Sequence, residues 1–411
     1  MKMELIQADF NIVTPMFLGE ADGQCASQIR PPAIKGALRF WWRAINWARI
    51  RQGFDNDAAA LAELHREEAS LFGSSAKIGS DGKTQTGGQG VFLLRVSEQK
   101  VRKIEKSKNC LTLAPLQYLA SMGLYHFREG LLRDYLDRQG TFRVELAMKP
   151  AISETQTKQL VETLECFGLL GCLGSRARKG FGSVAIKKLT LGDTEQPLPK
   201  DEEAYKTQLK ELLGNCFELQ TEPPLTAFSD LSRIQIGGRD GSAMELLARH
   251  GKTMGQYRGY GRKNPKTGKH EVFGEKAEQK FWPDHDWAID YVDKKPVQSL
   301  PKRVAFGLPH PYMIGSRNGA KISIDALLDG KDSRRASPLF AHVHQLPSGD
   351  CLLIHTILQS LFLPHSASVK VSGGKTHTIN GKDASQTLEW SVLTRFLDRF
   401  NPTDKDIIHG R

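Results

Sequence analysis

The sequence predicts an α+β protein of two tandem ferredoxin-like (RRM-like, βαββαβ) domains with antiparallel sheets and insertions. Three observations carry this. Residues 4–13 alternate, with Ile6, Ala8, Phe10 and Ile12 on one face, and lead through a loop to a long helical pattern. Phe142, Val144 and Leu146 alternate with Arg143 and Glu145, then a helix capped at Ser153 or Thr155 precedes the strand SVAIKKLTL. From about Glu211 the chain begins again, with a strand near 233–236, a helix over 243–257 and a hairpin over 339–358. Stripped of insertions the first half reads β-α-β-β-α-β, an antiparallel sheet with helices on one face. The expected domains are 1–210 and 211–411, the second a degenerate copy of the first.

In order, Thr14-Pro15 ends the first strand, and the loop FLGEADGQCASQ follows, its small residues suiting close approach to a ligand. Pro31 and Pro32 then fit the first turn of a helix. At about 100° per residue, Ile34, Ala37, Leu38, Trp41, Ala44, Ile45 and Ala48 share the core arc. Lys35, Arg39 and Arg43 line the opposite arc with Asn46 between them, and Phe40 and Trp47 fall beside that ridge. Cation ridges match phosphates, and flat rings match unstacked bases. An ordinary solvated helix face is the competing reading.

Asp57 to Phe72 reads as a second helix, and 78–90 as a glycine-rich loop. A strand begins at Val91, and Tyr118–Gln139 reads as an aromatic, partly helical stretch. An acidic, proline-punctuated linker spans 192–203. In the second half the helix over 243–257 runs into the basic-aromatic loop YRGYGRKNPKTGKH, a strand is expected over Val304–Tyr312, and a last helix over Ala384–Phe400.

The chain has 411 residues, 39% hydrophobic and 25% charged, enough for two domains. Lys+Arg is 57 against Asp+Glu 46, a net charge of +11 that favours an anionic partner, nucleic acid first. No apolar run reaches the ~18 residues of a membrane span, so no membrane contact is expected. The N-terminus reads as a strand start without a signal-peptide core. Six scattered cysteines lack CxxC spacing, which points to reduced cytoplasmic thiols and no structural zinc.

The loop GSRARKGFGSV, 174–184, follows a helix and enters a strand, which excludes both a P-loop and a dinucleotide fingerprint. What remains is a glycine-dense loop with Arg176, Arg178 and Lys179 projecting, suited to phosphate approach or to a plain connection. His342 and His344 share one strand face with His355 on the paired strand, a weak metal signal lacking a carboxylate. Asp22 stands alone in the first strand–helix loop, where an aspartate is usually a turn former. No Ser-His-Asp or Cys-His signature is present locally.

Three of these pieces together resemble the RAMP superfamily of CRISPR RNA-guided proteins: VTPMFLGEAD…RPPAIKGALRFWWRA, EASLFGSS at 68–75, and GSRARKGFGSV. The opening is similar to the first-named RAMP subunit of type III-B Cmr effector complexes, and RRASPLF at 334–340 also resembles that subunit. The resemblance implies tandem ferredoxin-like domains and an RNA-binding structural subunit without nuclease activity or cofactor. Its implied partners are CRISPR guide RNA near the 3′ part, target RNA and other Cmr-complex subunits. The site residues are expected to be Arg30, Lys35, Arg39 and Arg43, with Arg176, Arg178, Lys179, Gly180, Phe181 and Gly182 closing over the same strand. Phe40, Trp42 or Trp47 is a stacking candidate, Trp42 being better placed for the core. The alternative is a RAMP-type RNA endonuclease using Asp22 or a histidine, for guide processing or target cleavage. No histidine sits in the 30–51 helix or the loop before it, which weighs against that alternative.

Overall fold

The computed structural model describes residues 4–410 except 21–24, 76, 79–83, 86, 108–110, 151, 296, 298, 374–376 and 381–387. It is an α+β structure whose sheets are antiparallel. The first sheet is built by β1 (Leu5–Ile12), β2 (Phe92–Lys100), β3 (Thr141–Met148) and β4 (Val184–Leu191), in the order β4-β1-β3-β2 with Thr194–Glu195 at the outer edge. Between β1 and β2 lie α1 (Pro31–Gln52) and α2 (Asp57–Phe72), α3 (Ala114–Ala120) precedes β3, and α4 (Glu154–Leu170) joins β3 to β4.

The alternation along β1 and β3 buries every second residue, so one face of this sheet takes helices and the other is half covered. Ser153 and Gln156 form a reciprocal capping box at the start of α4.

The second sheet repeats the connectivity. It comprises β5 (Arg233–Asp240), α6 (Ala243–Arg258), β12 (Leu339–Gln345), β13 (Cys351–Ile357), α8 (Ser391–Asp398) and β16 (Ile407–His409), with strand order β12-β13-β5-β16. Inserted after α6 are a small sheet of β6 (Arg262–Lys263), β7 (His270–Val272) and β8 (Glu275–Lys276), then α7 (Trp282–Val292). A further sheet is made of β9 (His310–Ile314), β10 (Ala320–Leu328), β11 (Lys331–Ser333), β14 (Ala367–Ser372) and β15 (His377–Asn380). This last sheet packs its own core of Ile322, Ile324, Val369 and Val371 against Ala288 and Tyr291 of α7.

The two sheets share one interior. Phe10, Phe142 and Phe167 of the first sheet and α4 lie in the same apolar cluster as Ile234, Ile236, Leu352 and Ile354 of the second. α5 (Glu202–Leu213) helps bridge them, since the Tyr205 ring lies 4.6 Å from that of His344 on β12. The layers therefore run sheet, helices, sheet, helices, with α6 and α8 on the far side. β12 and β13 are accordingly buried on both faces.

Several expectations change. Of Tyr118–Gln139 only the first three residues are helical: α3 stops at Ala120, the hairpin of Tyr125–His126 and Gly130–Leu131 follows, and Tyr135–Leu136 pairs with Lys103–Ile104. Val304 lies in a 3-10 turn, Lys302–Phe306, and the strand begins at His310. The last helix begins at Ser391; its expected start at 384–387 lies outside the described residues. The expected boundary after residue 210 falls inside α5. No helix among the described residues is long and apolar enough to cross a membrane.

Candidate nucleic-acid interface

α1 is covered on more sides than one amphipathic stripe requires. α2 packs on the ridge side, and residues 214–228 close over the C-terminal half, where Cys216 Sγ donates to Ile45 O and Phe228 N to Ala44 O. Trp47 and Asn46, expected beside the ridge, are therefore buried, and Trp47 has no stacking face left for a base. Trp42 is core too, and its indole N–H donates to Gln159. The outer cations are neutralised, Arg49 by Glu67 and Arg51 by Asp57, both at 2.6 Å.

The N-terminal half of α1 stays open. Pro32 and Gly36 are exposed, and a side chain at Gly36 would meet nothing within 4 Å. On one flank Lys35 and Arg39 enter an open cleft of about 550 Å³ lined also by Pro31, Ser74, Ser75, Leu93 and Lys149. Among the described residues, no aspartate, glutamate or histidine lines it. Partial burial and then the neighbouring Arg39 hold the Lys35 pKa below the ordinary lysine value, as expected of a cation with no carboxylate beside it. Arg30, exposed, donates to Gly19 O at 3.0 Å. Because Pro31 and Pro32 carry no N–H, this helix start offers charge rather than backbone donors.

Phe72, Gly73, Ser74 and Ser75, the end of the motif EASLFGSS, line the cleft. Glu68 binds Arg43 at 2.8 Å and Arg39 at 3.4 Å. Phe72 is core beneath the Arg39 guanidinium, 5.8 Å from its ring centre. Gly73 has φ +82°, and a Cβ there would stand 2.7 Å from Gly88 O and Gly90 N, so two chain segments cross at this glycine.

On the other flank of Gly36, Phe40 lies beside Phe340 of β12, ring centres 5.8 Å apart. The Arg178 guanidinium sits 4.5 Å from the Phe340 ring centre and 5.7 Å from that of Phe40, and donates to Ser337 O. Burial, and then Arg335, push the Arg178 pKa down to about 10. A small recess of about 170 Å³ opens between Ala37, Phe40, Trp41, Cys172, Arg178 and Phe340. Thus α1 carries cations on one flank and a ring–guanidinium cluster on the other, with a bare glycine between.

The rest of the glycine-dense loop does not face outward. Phe181 is fully buried against Phe17 and Leu247, which corrects its place among the RNA-binding residues. Gly180 and Gly182 have φ +85° and +67°. A Cβ on Gly182 would fall on the carbonyl oxygen of Leu173, and one on Gly180 would stand 2.7 Å from Leu247 Cδ1. Packing and backbone conformation thus account for both glycines without a phosphate. Arg176 caps the end of α3, donating to Ser121 O at 2.6 Å and to Met122 O. Lys179 Nζ donates to Leu119 O at 3.1 Å, while Ala341 N donates to Arg178 O at 3.1 Å. The loop fastens the first sheet's unit to β12 and α6, and of its cations only Arg178 joins the α1 face.

The histidines do not converge. His355 pairs with Ala341 in the β12–β13 ladder, which puts it on the opposite face from His342 and His344. It meets His250 of α6 instead, Nδ1 to Nε2 at 3.0 Å. No group of three or more metal-binding side chains occurs among the described residues. Asp22 lies outside the described residues.

The RAMP superfamily sequence description matches residues 9–185. A curated relative, CRISPR system Cmr subunit Cmr1-1 of Pyrococcus furiosus, is 24% identical over 399 residues, covering 90% of this chain and 87% of the relative. The crystal structure of Cmr1 from Pyrococcus furiosus in its apo form superposes with a TM-score of 0.56 at 17% identity, covering 99% of each chain, and so shares this fold. The matched residues 9–185 are the segment that holds β1, α1, the cleft and the glycine-dense loop, and it is this segment that is similar to the RAMP superfamily.

Proposed function

We propose that this chain is an RNA-binding structural subunit of a type III-B CRISPR RNA-guided effector ribonucleoprotein, contacting the 3′ part of the guide RNA or the guide–target duplex. The observation that carries this reading is the open half of α1. There Lys35 and Arg39 border a cleft that no carboxylate lines among the described residues, Arg30 is exposed at the helix start, and Phe40 and Arg178 stand across Gly36. Cations positioned by a rigid helix suit a phosphate backbone, and a half-buried ring such as Phe40 suits an adjacent base. Similarity to a Cmr subunit along nine-tenths of the chain supports the assembly partners: guide RNA, target RNA and the other Cmr subunits.

The phosphate contacts are assigned to Arg30, Lys35, Arg39 and Arg43, with Arg178 beside them. Arg176, Lys179, Gly180, Phe181 and Gly182 hold the loop in place. We read the two sheets as tandem ferredoxin-like domains, split near residue 210, because both have one connectivity and one strand order. The chain acts without catalysis. His250, His310, His342, His344 and His355 are buried, and burial lowers the pKa of each, which leaves them poor proton carriers at neutral pH. The deciding experiment incubates the purified chain with labelled guide and target RNA, with and without divalent metal. Retention of intact RNA supports the binding role; metal-dependent or histidine-dependent cleavage overturns it in favour of the endonuclease alternative.

A further inference from the structure

The second half of the chain carries a cationic surface that α1 does not account for. β6 and β7 form a hairpin, and Arg262, Lys263, Lys266 and Lys269 on it are exposed. None of the four forms an ion pair among the described residues. Glu271 faces Arg262 across the ladder, but its oxygens accept instead from Asn264 Nδ2 at 2.9 Å and Thr267 Oγ1 at 3.1 Å. The turn is held from within as well: Asn264 Oδ1 accepts from Lys266 N at 2.9 Å, and Gly268 N donates to Asn264 O at 2.8 Å. At its base, Phe273 packs edge-on against Tyr118, ring centres 6.0 Å apart, in the space a side chain at Gly255 would occupy. Lys252 of α6 pairs with Glu275 at 2.6 Å. The four cations are thus displayed on an ordered, anchored turn, which limits the entropy lost when they engage a ligand.

We propose that this hairpin is a second phosphate-binding surface, gripping the RNA backbone without reading sequence. The inference rests on the RNA-binding reading above and adds a separate surface for the same ligand. A protein partner fits less well. The centre of a protein interface is depleted of charge and enriched in aromatic anchors, whereas between Arg262 and Lys269 the one nonpolar side chain is Pro265.

The test uses the full chain and a labelled single-stranded RNA across a salt series. Changing Arg262, Lys263, Lys266 and Lys269 to Ala should lower the slope of log K against log salt by about 0.7 for each cation that meets a phosphate, about 2.8 for all four. The melting temperature should not move. Exchanging Arg for Lys and Lys for Arg at the four positions should keep the slope. If the alanine variant folds poorly, Lys266→Glu at the turn should still weaken binding more at low salt than at high. A wild-type slope in the alanine variant overturns the proposal, and if that variant also fails to join partner subunits, the hairpin belongs to an acidic protein surface. The two readings fail separately. A slope that falls with Lys35→Ala but not with the hairpin variant overturns only this inference, and a wild-type chain with no salt-dependent RNA binding overturns both.

Discussion

Arg39 and Arg43, one helical turn apart on α1, converge on a single carboxylate: Glu68 Oε1 lies 2.8 Å from Arg43 Nη1 and 3.4 Å from Arg39 Nε. The basic ridge is therefore partly neutralised from inside the protein, and Lys35 is its one member without that partner. Lys35→Ala should lower the salt slope of RNA binding by about 0.7. Arg43→Ala should change the slope less and the melting temperature more. It removes a partly exposed pair worth about 1 kcal/mol and leaves the mostly buried carboxylate to Arg39 alone. Salt-dependent binding and thermal melts on the two variants check the contrast, and equal slopes would remove Lys35 from its leading place.

Glu68→Gln should act in the opposite sense. The amide still accepts a hydrogen bond from Arg43 but no longer offsets its charge. RNA affinity at low salt should rise, with the slope increasing by up to about 0.7 if one more cation reaches a phosphate. Binding measured at two salt concentrations is sufficient, and an unchanged affinity would mean that neither arginine faces the RNA.

The elements with a strong local period were legible in the sequence: β1, α1, α2, β3, α4, α6 and the β12–β13 hairpin. What failed came from contacts no local pattern carries. A helical wheel assumes one covered face, whereas α1 is closed over by α2 and by residues 214–228, so Trp47 and Asn46 went inside. No local pattern sets the register of His355, and its pairing with Ala341 puts it on the face opposite His342 and His344. Phe181 looked like a loop residue because its partner Leu247 is 66 positions away. The sheet of β9–β11, β14 and β15 interrupts the second unit between its helix and its hairpin and again before α8, so the repeat was hidden by insertions. The RPPAIKG…RFWWRA and EASLFGSS segments were the informative ones, since they build the cleft and the residues that support it.

The glycines at 180 and 182 should differ. Both have positive φ, which costs a residue with a β-carbon roughly 1–2 kcal/mol. At Gly180 the nearest obstacle is the end of the Leu247 side chain, which can shift. At Gly182 it is the Leu173 carbonyl, which is fixed because Leu173 N donates a hydrogen bond to Gly182 O. Gly180→Ala should cost about 1–2 kcal/mol and Gly182→Ala more, about 2–4 kcal/mol. Chemical denaturation gives both values. RNA affinity of whatever remains folded should be unchanged, and a loss of affinity without a loss of stability would return the loop to the binding surface.

His344 lies fully buried with its ring on Tyr205, and burial, then Lys187, lower its pKa to about 3. The folded state therefore favours the neutral ring. In the unfolded chain the ring takes a proton below about pH 6.5. The stability it permits is complete above that pH and is lost as pH falls towards 3, by up to about 1.4 kcal/mol per pH unit. His344→Phe, which keeps the ring contact, should flatten the fall in melting temperature between pH 6.5 and 4.5. A wild-type acid limb in this variant would show that the other buried histidines dominate.

Lys179 titrates on the alkaline side. Burial, with Arg176 and Arg258 nearby, pushes its pKa down to about 7, while among the described residues its ammonium has only the Leu119 carbonyl as a hydrogen-bond partner. Between pH 7 and about 10.4 the unfolded chain holds the proton and the folded chain releases it, so stability rises with pH across that window. Below pH 7 both states are protonated and the penalty is at its full value. Lys179→Met keeps most of the side-chain volume and removes the charge. It should raise stability at pH 7, remove the alkaline rise and leave RNA affinity intact, because this residue fastens the loop and does not meet the ligand. Melts at pH 7, 8 and 9 with RNA binding at pH 7 test all three. Weaker RNA binding by a more stable variant would place Lys179 back among the phosphate contacts and reverse its structural assignment.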